Sequence, residues 1–267
     1  MTKMLQSLLA AVFVAAVPIV ASSPGLSSHP GTDETGKRVA LSPALRMSDN
    51  ILITHAVLAA LAWSFFVPLG AIALRLNIQS PLLLKIHVYL QMFSYLIYII
   101  AVGLGIWLAR ESAKYKPTWS NPHVIIGLVV LLAALFQPFL GLIHHEIFKK
   151  HLLRWRAGLS MQRPGRTVLG RVHVWNGRML ITLGTINGAC GIRLASTSPF
   201  QDAATTRKAY IGFGVAAGTM WLLYAGVSSL FEFRRTVRER SERQEDGHIK
   251  KSEDPQVPYR PAEELKS

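Results

Sequence analysis

Five long apolar segments constrain the fold of this chain more than any other feature of its sequence. They are residues 51–74, 86–109, 123–145, 172–192 and 209–231. Each is long enough to cross a hydrocarbon core of about 30 Å as an α-helix that rises about 1.5 Å per residue. Strands of a membrane barrel would instead be about ten residues long with alternating polarity. The sequence therefore predicts an all-α membrane protein, a bundle of five transmembrane helices.

The composition also favours a membrane environment. Half of the residues are hydrophobic and only 16% are charged, whereas about a quarter of the residues in a soluble domain are charged. We attribute the net charge of +14 to orientation in the membrane, so we expect membrane lipid and no nucleic acid as a partner. The single cysteine, Cys190, excludes a disulfide within the chain and a metal site built from thiolates.

The segments outside the bundle differ from it in composition. Residues 1–22 combine one lysine, an apolar core and small residues at the end, which predicts a secretory signal peptide, with a short retained anchor as the alternative. Residues 23–50 predict a disordered extracytoplasmic segment, and residues 232–267 a disordered, charged cytoplasmic tail. The transmembrane domain is then 51–231, and we expect no internal repeat within it.

The distribution of Lys and Arg predicts the orientation of the bundle. The connection between the third and fourth spans is strongly basic and contains no acid between Lys149 and Arg171. Another basic cluster begins at Arg234, just after the fifth span, on the same side of the membrane. Since positive loops face the cytoplasm, we expect an extracytoplasmic N-terminus and a cytoplasmic C-terminus, in a plasma membrane or an endomembrane.

Four histidines occupy equivalent places near the start of the first four spans. They are His55, His87, His123 and His173. Because consecutive spans run in opposite directions, His55 and His123 should lie near the outer face, and His87 and His173 near the inner face. The topology therefore predicts two histidine pairs, one in each leaflet.

Two facing imidazoles in a helical bundle indicate a bis-histidine haem. The porphyrin supplies four nitrogens to the iron and the protein supplies the two axial ligands. A zinc site would need three or four protein ligands, which a pair without a nearby Cys, Asp or Glu does not supply. We therefore predict two haem b groups, one on each pair, while cofactor-free structural histidines remain the alternative. His144 and His145, at the end of the third span, are alternatives to His173 as the inner ligand.

Small residues follow three of the four histidines at the position one helical turn later, with Ala59 after His55, and Gln91 after His87 is the exception. Gly127 follows His123 and Gly177 follows His173 on the same helical face. We expect both glycines to leave room for a flat macrocycle. Haem propionates would need cations, and Arg75, Arg171 and Arg178 are candidates on the inner side. Arg171 is also explained by the positive-inside rule, and Arg178 by a side chain that reaches toward the membrane surface.

The four histidine segments together resemble the cytochrome b561 family, in particular the eukaryotic branch found attached to DOMON domains. The motifs are "HAVLAALAWSFFVPLGAIALR", "KIHVYLQ", "NPHVIIGLVVLLAALFQPFLGLIHH" and "RVHVWNGRMLITLGTINGACGI". The resemblance covers about residues 51–231. No DOMON domain is expected here, because residues 23–50 are too short for one.

The resemblance implies a core of four haem-binding helices plus one, with the same two histidine pairs as axial ligands. It also implies that Arg75 lies near the inner haem. The expected function is transfer of electrons from a cytosolic-side donor across the membrane to an external acceptor. That acceptor would be ferric iron, monodehydroascorbate or a redox protein, so ferric-chelate or monodehydroascorbate reductase activity is one outcome. The alternative is a cofactor-free, proton-coupled transporter or membrane adaptor. The sequence leaves a homodimer open.

Overall fold

The structure is a computed structural model that describes residues 43–76, 80–160, 167–198 and 201–252. The described residues form helices and no strand. The helices are α1 (Pro43–Leu61), the π-helix π1 (Ala62–Phe66), α2 (Val67–Ala73), α3 (Pro81–Ala113), α4 (Pro122–Arg156), α5 (Val168–Ala195) and α6 (Ala203–Ser252). Because α1, π1 and α2 follow one another without a break, the bundle consists of five long helical segments, as predicted.

Four of the five segments are long and apolar enough to cross a membrane. Within the described residues these are Arg46–Ala73, Leu82–Ala113, Pro122–Arg156 and Ala203–Ser241. The exception is α5, which has 28 residues and is long enough, but contains polar residues such as Asn176 and Arg178 in its first half. These side chains bond to α4 and α6, as described below, so the polarity of α5 reflects contacts between helices.

Side-chain caps fix the starts of the three helices that carry His87, His123 and His173. The Ser80 hydroxyl accepts from the amide of Leu82 at 3.2 Å, and Asn121 Oδ1 accepts from the amide of His123 at 2.9 Å. Thr167 Oγ1 accepts from the amide of Gly170 at 3.0 Å. These bonds satisfy amides that have no partner within the helix.

Aromatic and aliphatic side chains fill the middle of the bundle. Trp63 and Tyr98 lie edge to face with ring centroids 4.9 Å apart, and Val130, Ala134 and Leu180 complete the same buried cluster. Trp63 packs against Gly184 of α5, where a Cβ would lie only 2.5 Å from the indole ring. The first helical segment and α5 therefore approach each other closely at the centre of the bundle.

Two predicted boundaries are corrected by the structure. The segment 23–50 was expected to be disordered, but α1 already begins at Pro43. The tail from 232 was also expected to be disordered, but α6 continues to Ser252. Its charges support a helix, since Arg235 Nε bonds to Glu239 Oε1, one turn later, at 2.7 Å. The predicted signal peptide and the final residues of the tail lie outside the described residues.

Candidate functional site

The structure brings the four predicted histidines together as two pairs at opposite ends of the bundle. The ring centroids of His55 and His123 are 6.0 Å apart, with planes at 82°. Those of His87 and His173 are 6.5 Å apart, with planes at 83°. We call the first the outer pair and the second the inner pair, after the predicted orientation. That these side chains bind iron remains a prediction.

Backbone carbonyls hold three of the four rings through Nδ1. Nδ1 of His55 lies 2.7 Å from the carbonyl oxygen of Ala101, and Nδ1 of His87 lies 2.8 Å from that of Gly70. Nδ1 of His123 lies 3.0 Å from the carbonyl oxygen of Asn187. Because a carbonyl only accepts, each Nδ1 must carry the proton, and Nε2 keeps its lone pair. Metal-binding histidines are oriented in the same way, by donation from the second ring nitrogen.

His173 is the exception among the four. Its Nδ1 is buried and has no hydrogen-bond partner within the described residues, although the backbone of Gln137 faces the ring. Its own backbone carbonyl accepts a hydrogen bond from Gln137 Nε2 at 2.9 Å. The ring of His173 is therefore less firmly fixed than the other three.

The spacing within each pair fits one metal ion between the two rings. Imidazole nitrogens bind metals at about 2.0–2.1 Å, which would place the two ring centroids about 6.3 Å apart. The observed 6.0 and 6.5 Å lie on either side of this value. No group of three or more His, Cys, Asp or Glu that could hold a metal ion occurs in the described part of the chain. Each pair thus fits a cofactor that brings its own equatorial ligands, as haem does.

Glycines on neighbouring helices provide the surfaces on which three of these rings rest. A Cβ at Gly105 would lie 2.7 Å from Cε1 of His55, and one at Gly191 would lie 2.9 Å from Cε1 of His123. A Cβ at Gly141 would lie 3.1 Å from Cε1 of His173. These contacts need glycine because the ring occupies the space of a side chain. None of these three glycines was predicted from the sequence.

An internal repeat, which the sequence analysis did not expect, explains the arrangement of α4 and α5. Both helices carry the pattern His-x3-Gly-x9-(Gln or Asn)-x3-Gly, and the two copies are offset by 50 residues. The copies comprise His123, Gly127, Gln137 and Gly141 on α4, and His173, Gly177, Asn187 and Gly191 on α5. Since the two helices are antiparallel, each histidine ring meets the second glycine of the other copy. This pattern is the signal by which the supporting glycines could have been found.

The first glycine of each copy contacts an amide side chain. A Cβ at Gly127 would lie 3.2 Å from Nδ2 of Asn187, and a Cβ at Gly177 would lie 2.9 Å from Nε2 of Gln137. Both glycines therefore let α4 and α5 approach closely. The expectation that they make room for a porphyrin remains a prediction.

Asn176, which had no specific role in the sequence analysis, joins α5 to α4. Its Nδ2 donates to Gln137 Oε1 at 2.7 Å and to the carbonyl of Ala133 at 3.1 Å. Pro138 lies within α4 close to this point and cannot donate a helical hydrogen bond. Asn176 and Gln137 thus form a polar network beside the inner pair, where the interior of α4 is interrupted.

The predicted arginines have different surroundings. Arg75 donates from Nη1 to the carbonyl of Ala71 at 2.6 Å, and its guanidinium lies 5.1 Å from the ring centroid of Tyr224. Arg178 forms an ion pair with Glu232 and lies 5.0 Å from the ring of Trp175. Arg171 is exposed. The acidic partner of Arg178 in this structure is thus a side chain of α6, and the three propionate contacts remain predictions.

The two alternative inner ligands also differ. His145 is exposed, whereas His144 is half-buried. Nδ1 of His144 lies 2.7 Å from Thr167 Oγ1, and its ring rests against Gly170, where a Cβ would lie 2.5 Å from Cε1. The histidine whose ring pairs with His87 is His173.

Comparison with known proteins finds relatives that are named for cytochrome b561. The Arabidopsis thaliana protein named "Cytochrome b561 and DOMON domain-containing protein At3g61750" is 27% identical over 190 residues, which cover 71% of this chain and 41% of that protein. A second, "Cytochrome b561 and DOMON domain-containing protein At2g04850", is 27% identical over 134 residues, 49% of this chain and 32% of its own length. The chain is similar to proteins that are named for cytochrome b561.

The chain spans about two fifths or less of the length of these two relatives. No family model matches it, and no solved structure gives a significant match. Both histidine pairs have the spacing that axial ligands require, and His55, His87 and His123 also have the protonation.

Proposed function

We propose that this protein is a transmembrane electron carrier with two b-type haems. Electrons would enter from a cytosolic-side donor at the inner pair, His87 and His173. They would leave from the outer pair, His55 and His123, to an external acceptor such as ferric iron, monodehydroascorbate or a redox protein. The observation that carries the proposal is the presence of two like histidine pairs, each spaced for one metal ion, at opposite ends of one bundle.

The distance between the two sites supports direct transfer. On α3, His87 belongs to the inner pair, and the carbonyl of Ala101, 14 residues later, binds the outer ligand His55. Fourteen residues of α-helix rise about 21 Å. Haem supplies the one-electron chemistry when it is bound, while the chain holds the axial nitrogens and excludes water with the core around Trp63 and Tyr98. The relatives' name, cytochrome b561, points to the same function.

The first test is the haem content of the purified full-length chain. We expect a reduced-minus-oxidised spectrum with a b-type α-band and about two haems per chain. His173→Ala should remove about one haem and keep the outer one, and His123→Ala should do the reverse. His145→Ala is the matched control, because His145 is exposed, and it should keep both haems. A protein without an α-band would instead favour the cofactor-free transporter or adaptor.

The second test concerns the path of the electrons across the membrane. Proteoliposomes with ascorbate inside and a ferric chelate outside should reduce the chelate only when both haems are present. Either single-haem variant should lose this transmembrane rate. Reduction that continues in both variants would contradict a path through the two sites.

A further inference from the structure

The helical segment α1–π1–α2 differs from the other ligand helices by one residue. Each of the helices α3, α4 and α5 carries a ligand histidine and, further along, a residue whose backbone holds or faces the histidine ring of the antiparallel neighbour. The second residue lies 14 positions after the first on all three helices. The pairs are His87 and Ala101, His123 and Gln137, and His173 and Asn187. In the first segment the corresponding carbonyl is that of Gly70, 15 positions after His55.

The π-helix accounts for the additional residue. The amide of Val67 donates to the carbonyl of Ala62, five residues earlier, so this turn contains one residue more than an α-helical turn. Pro68, directly after it, has no amide hydrogen and cannot donate to the carbonyl of Ser64. The wide turn therefore lies where the proline interrupts the helix. It places the carbonyl of Gly70 next to the ring of His87.

Two side chains of α3, one turn apart, bind the backbone of this shifted segment. Nδ1 of His87 donates to the carbonyl of Gly70 at 2.8 Å, and Nε2 of Gln91 donates to the carbonyl of Val67 at 2.9 Å. A Cβ at Gly70 would lie 2.6 Å from Gln91 Nε2 and 3.2 Å from Cβ of Leu90. The absence of a side chain at Gly70 thus lets α3 come close enough for both bonds.

The carbonyl of Gly70 is available because it lies in the last turn of α2, where carbonyls have no partner within the helix. Its neighbour, the carbonyl of Ala71, receives Nη1 of Arg75 at 2.6 Å. The carbonyl of Ile72 receives the amide of Arg75 at 2.8 Å. His87 therefore serves as a cap for α2, and the end of α2 fixes the orientation of the imidazole.

We propose that Gln91 and the π-helix together position His87 as the inner axial ligand. Gln91 is a positioning residue: it binds the backbone of the first helical segment and thereby sets where the Gly70 carbonyl meets His87. The inference rests on the proposed function, because it assumes that His87 binds the inner haem. In this proposal, the π-helix supplies the additional residue with which the first helical segment places the Gly70 carbonyl against the ring of His87. The helices α3, α4 and α5 reach the equivalent position with regular α-helix.

The test uses Gln91→Met, which keeps the length of the side chain and removes the donor. Without the bond to Val67, the His87 ring should turn relative to His173, and the EPR spectrum of a low-spin ferric haem depends on the angle between its axial imidazoles. We expect an altered EPR signal and a shifted midpoint potential for the inner haem alone. The outer haem is an internal reference in the same molecule, and His123→Ala and His173→Ala assign the two signals.

The matched control is Ser94→Ala on the same helix. Ser94 is fully buried, and among the described residues its hydroxyl donates only to the carbonyls of Leu90 and Gln91 within α3. This variant should leave both haem signals unchanged. Gly70→Ala is the second test variant, because its methyl group would displace Gln91, and it should shift the same inner signal as Gln91→Met.

A third variant, deletion of Phe65, tests the π-helix itself. It removes the additional residue after His55 and should cause loss of the inner haem with retention of the outer one. Loss of both haems would overturn the assignment, since the turn would then hold the bundle rather than one ligand. Unchanged inner signals in Gln91→Met would overturn the role of Gln91. A wild-type chain without two haems would instead overturn the proposed function, so the two failures are distinct.

Discussion

The guanidinium of Arg178 on α5 forms an ion pair with the carboxylate of Glu232 on α6, with Nη2 3.0 Å from Oε1. Both side chains are mostly covered by the protein, with 26% and 34% of their surface exposed. The contact explains how an arginine is accommodated in the first half of a membrane helix, since charges there are paired or hydrated. It also ties the helix without a paired histidine, α6, to the helix that carries His173.

A double-mutant cycle measures this ion pair. Arg178→Gln and Glu232→Gln should each lower the thermal stability of the detergent-solubilised protein. The double variant should be no less stable than the worse single variant, with a coupling energy of about 1 kcal/mol or more. Lys114→Gln is the control, because Lys114 pairs with Glu111 on an exposed surface, where such pairs contribute little.

The same variants separate the ion pair from the predicted propionate contact. If Arg178 serves only Glu232, the two single variants should have the same effect on the inner haem. A loss of inner haem in Arg178→Gln that Glu232→Gln does not show would indicate that Arg178 also binds a haem carboxylate.

A methyl group at Gly105 should damage the outer site selectively. In Gly105→Ala the new Cβ would lie 2.7 Å from Cε1 and 3.0 Å from Nδ1 of His55. Displacing the ring would break its bond to Ala101, so we expect loss of most of the outer haem and retention of the inner haem. Haem stoichiometry and the reduced spectrum check this outcome.

Gly103 provides the control for this variant on the same helix. Among the described residues, no atom lies within 4 Å of a Cβ built at Gly103. Gly103→Ala should therefore retain both haems. Equal haem loss in the two variants would mean that the effect comes from α3 as a whole and not from contact with His55.

The sequence predicted the fold and the histidine pairs because both depend on patterns that one sequence displays. Apolar segments of about twenty residues predict membrane helices, and alternating helix direction predicts which histidines share a leaflet. His55 and His123 meet, as do His87 and His173, as the topology argument expected. The pairing needed no knowledge of side-chain contacts.

The supporting residues were missed because their role depends on the register between helices. Gly141 lies 32 residues from His173 along the chain, and only antiparallel packing brings them together. The 50-residue offset between His123 and His173 is present in the sequence. Only four positions of each copy match, and they are separated by three, nine and three other residues, so the repeat is easily overlooked. A proline inside a span, such as Pro68, is typical of an interrupted helix, but it does not indicate that the helix widens by one residue.

Helix ends were predicted least well, since charge does not end a helix. The predicted spans stopped where apolar residues stopped, but α4 continues through Lys149 and Lys150 to Arg156. Lys and Arg have good helix propensity, and outside the hydrocarbon core they have no reason to leave the helix.

Removal of the Asn176 amide should destabilise the contact between α4 and α5. In Asn176→Leu, Oε1 of Gln137 loses its donor and the carbonyl of Ala133 loses its bond to α5, and a half-buried acceptor without a donor costs about 1–3 kcal/mol. We expect a lower unfolding temperature and a disturbed inner haem, since Gln137 also binds the carbonyl of His173.

Thr185→Val is the matched control for Asn176→Leu. The Thr185 hydroxyl donates to the carbonyl of Ile181 in its own helix, so its loss removes no contact between helices. An unfolding temperature that falls as far in Thr185→Val as in Asn176→Leu would show that the network with Gln137 contributes nothing specific.

The contact between Trp63 and Gly184 should limit what the centre of the bundle tolerates. In Gly184→Ala, the new Cβ would lie 2.5–2.7 Å from atoms of the indole, and Trp63 is held on its other side by Tyr98 at 4.9 Å. Overpacking of this kind costs about 1–3 kcal/mol, so we expect a lower unfolding temperature. Gly214→Ala, at an open position of α6, should not lower the unfolding temperature.

Because the clash is with the larger ring system, Trp63→Phe in the Gly184→Ala background should recover stability, although Trp63→Phe alone should lower it. If the double variant is no more stable than Gly184→Ala, the close approach of the first helical segment and α5 is not what fixes glycine at this position.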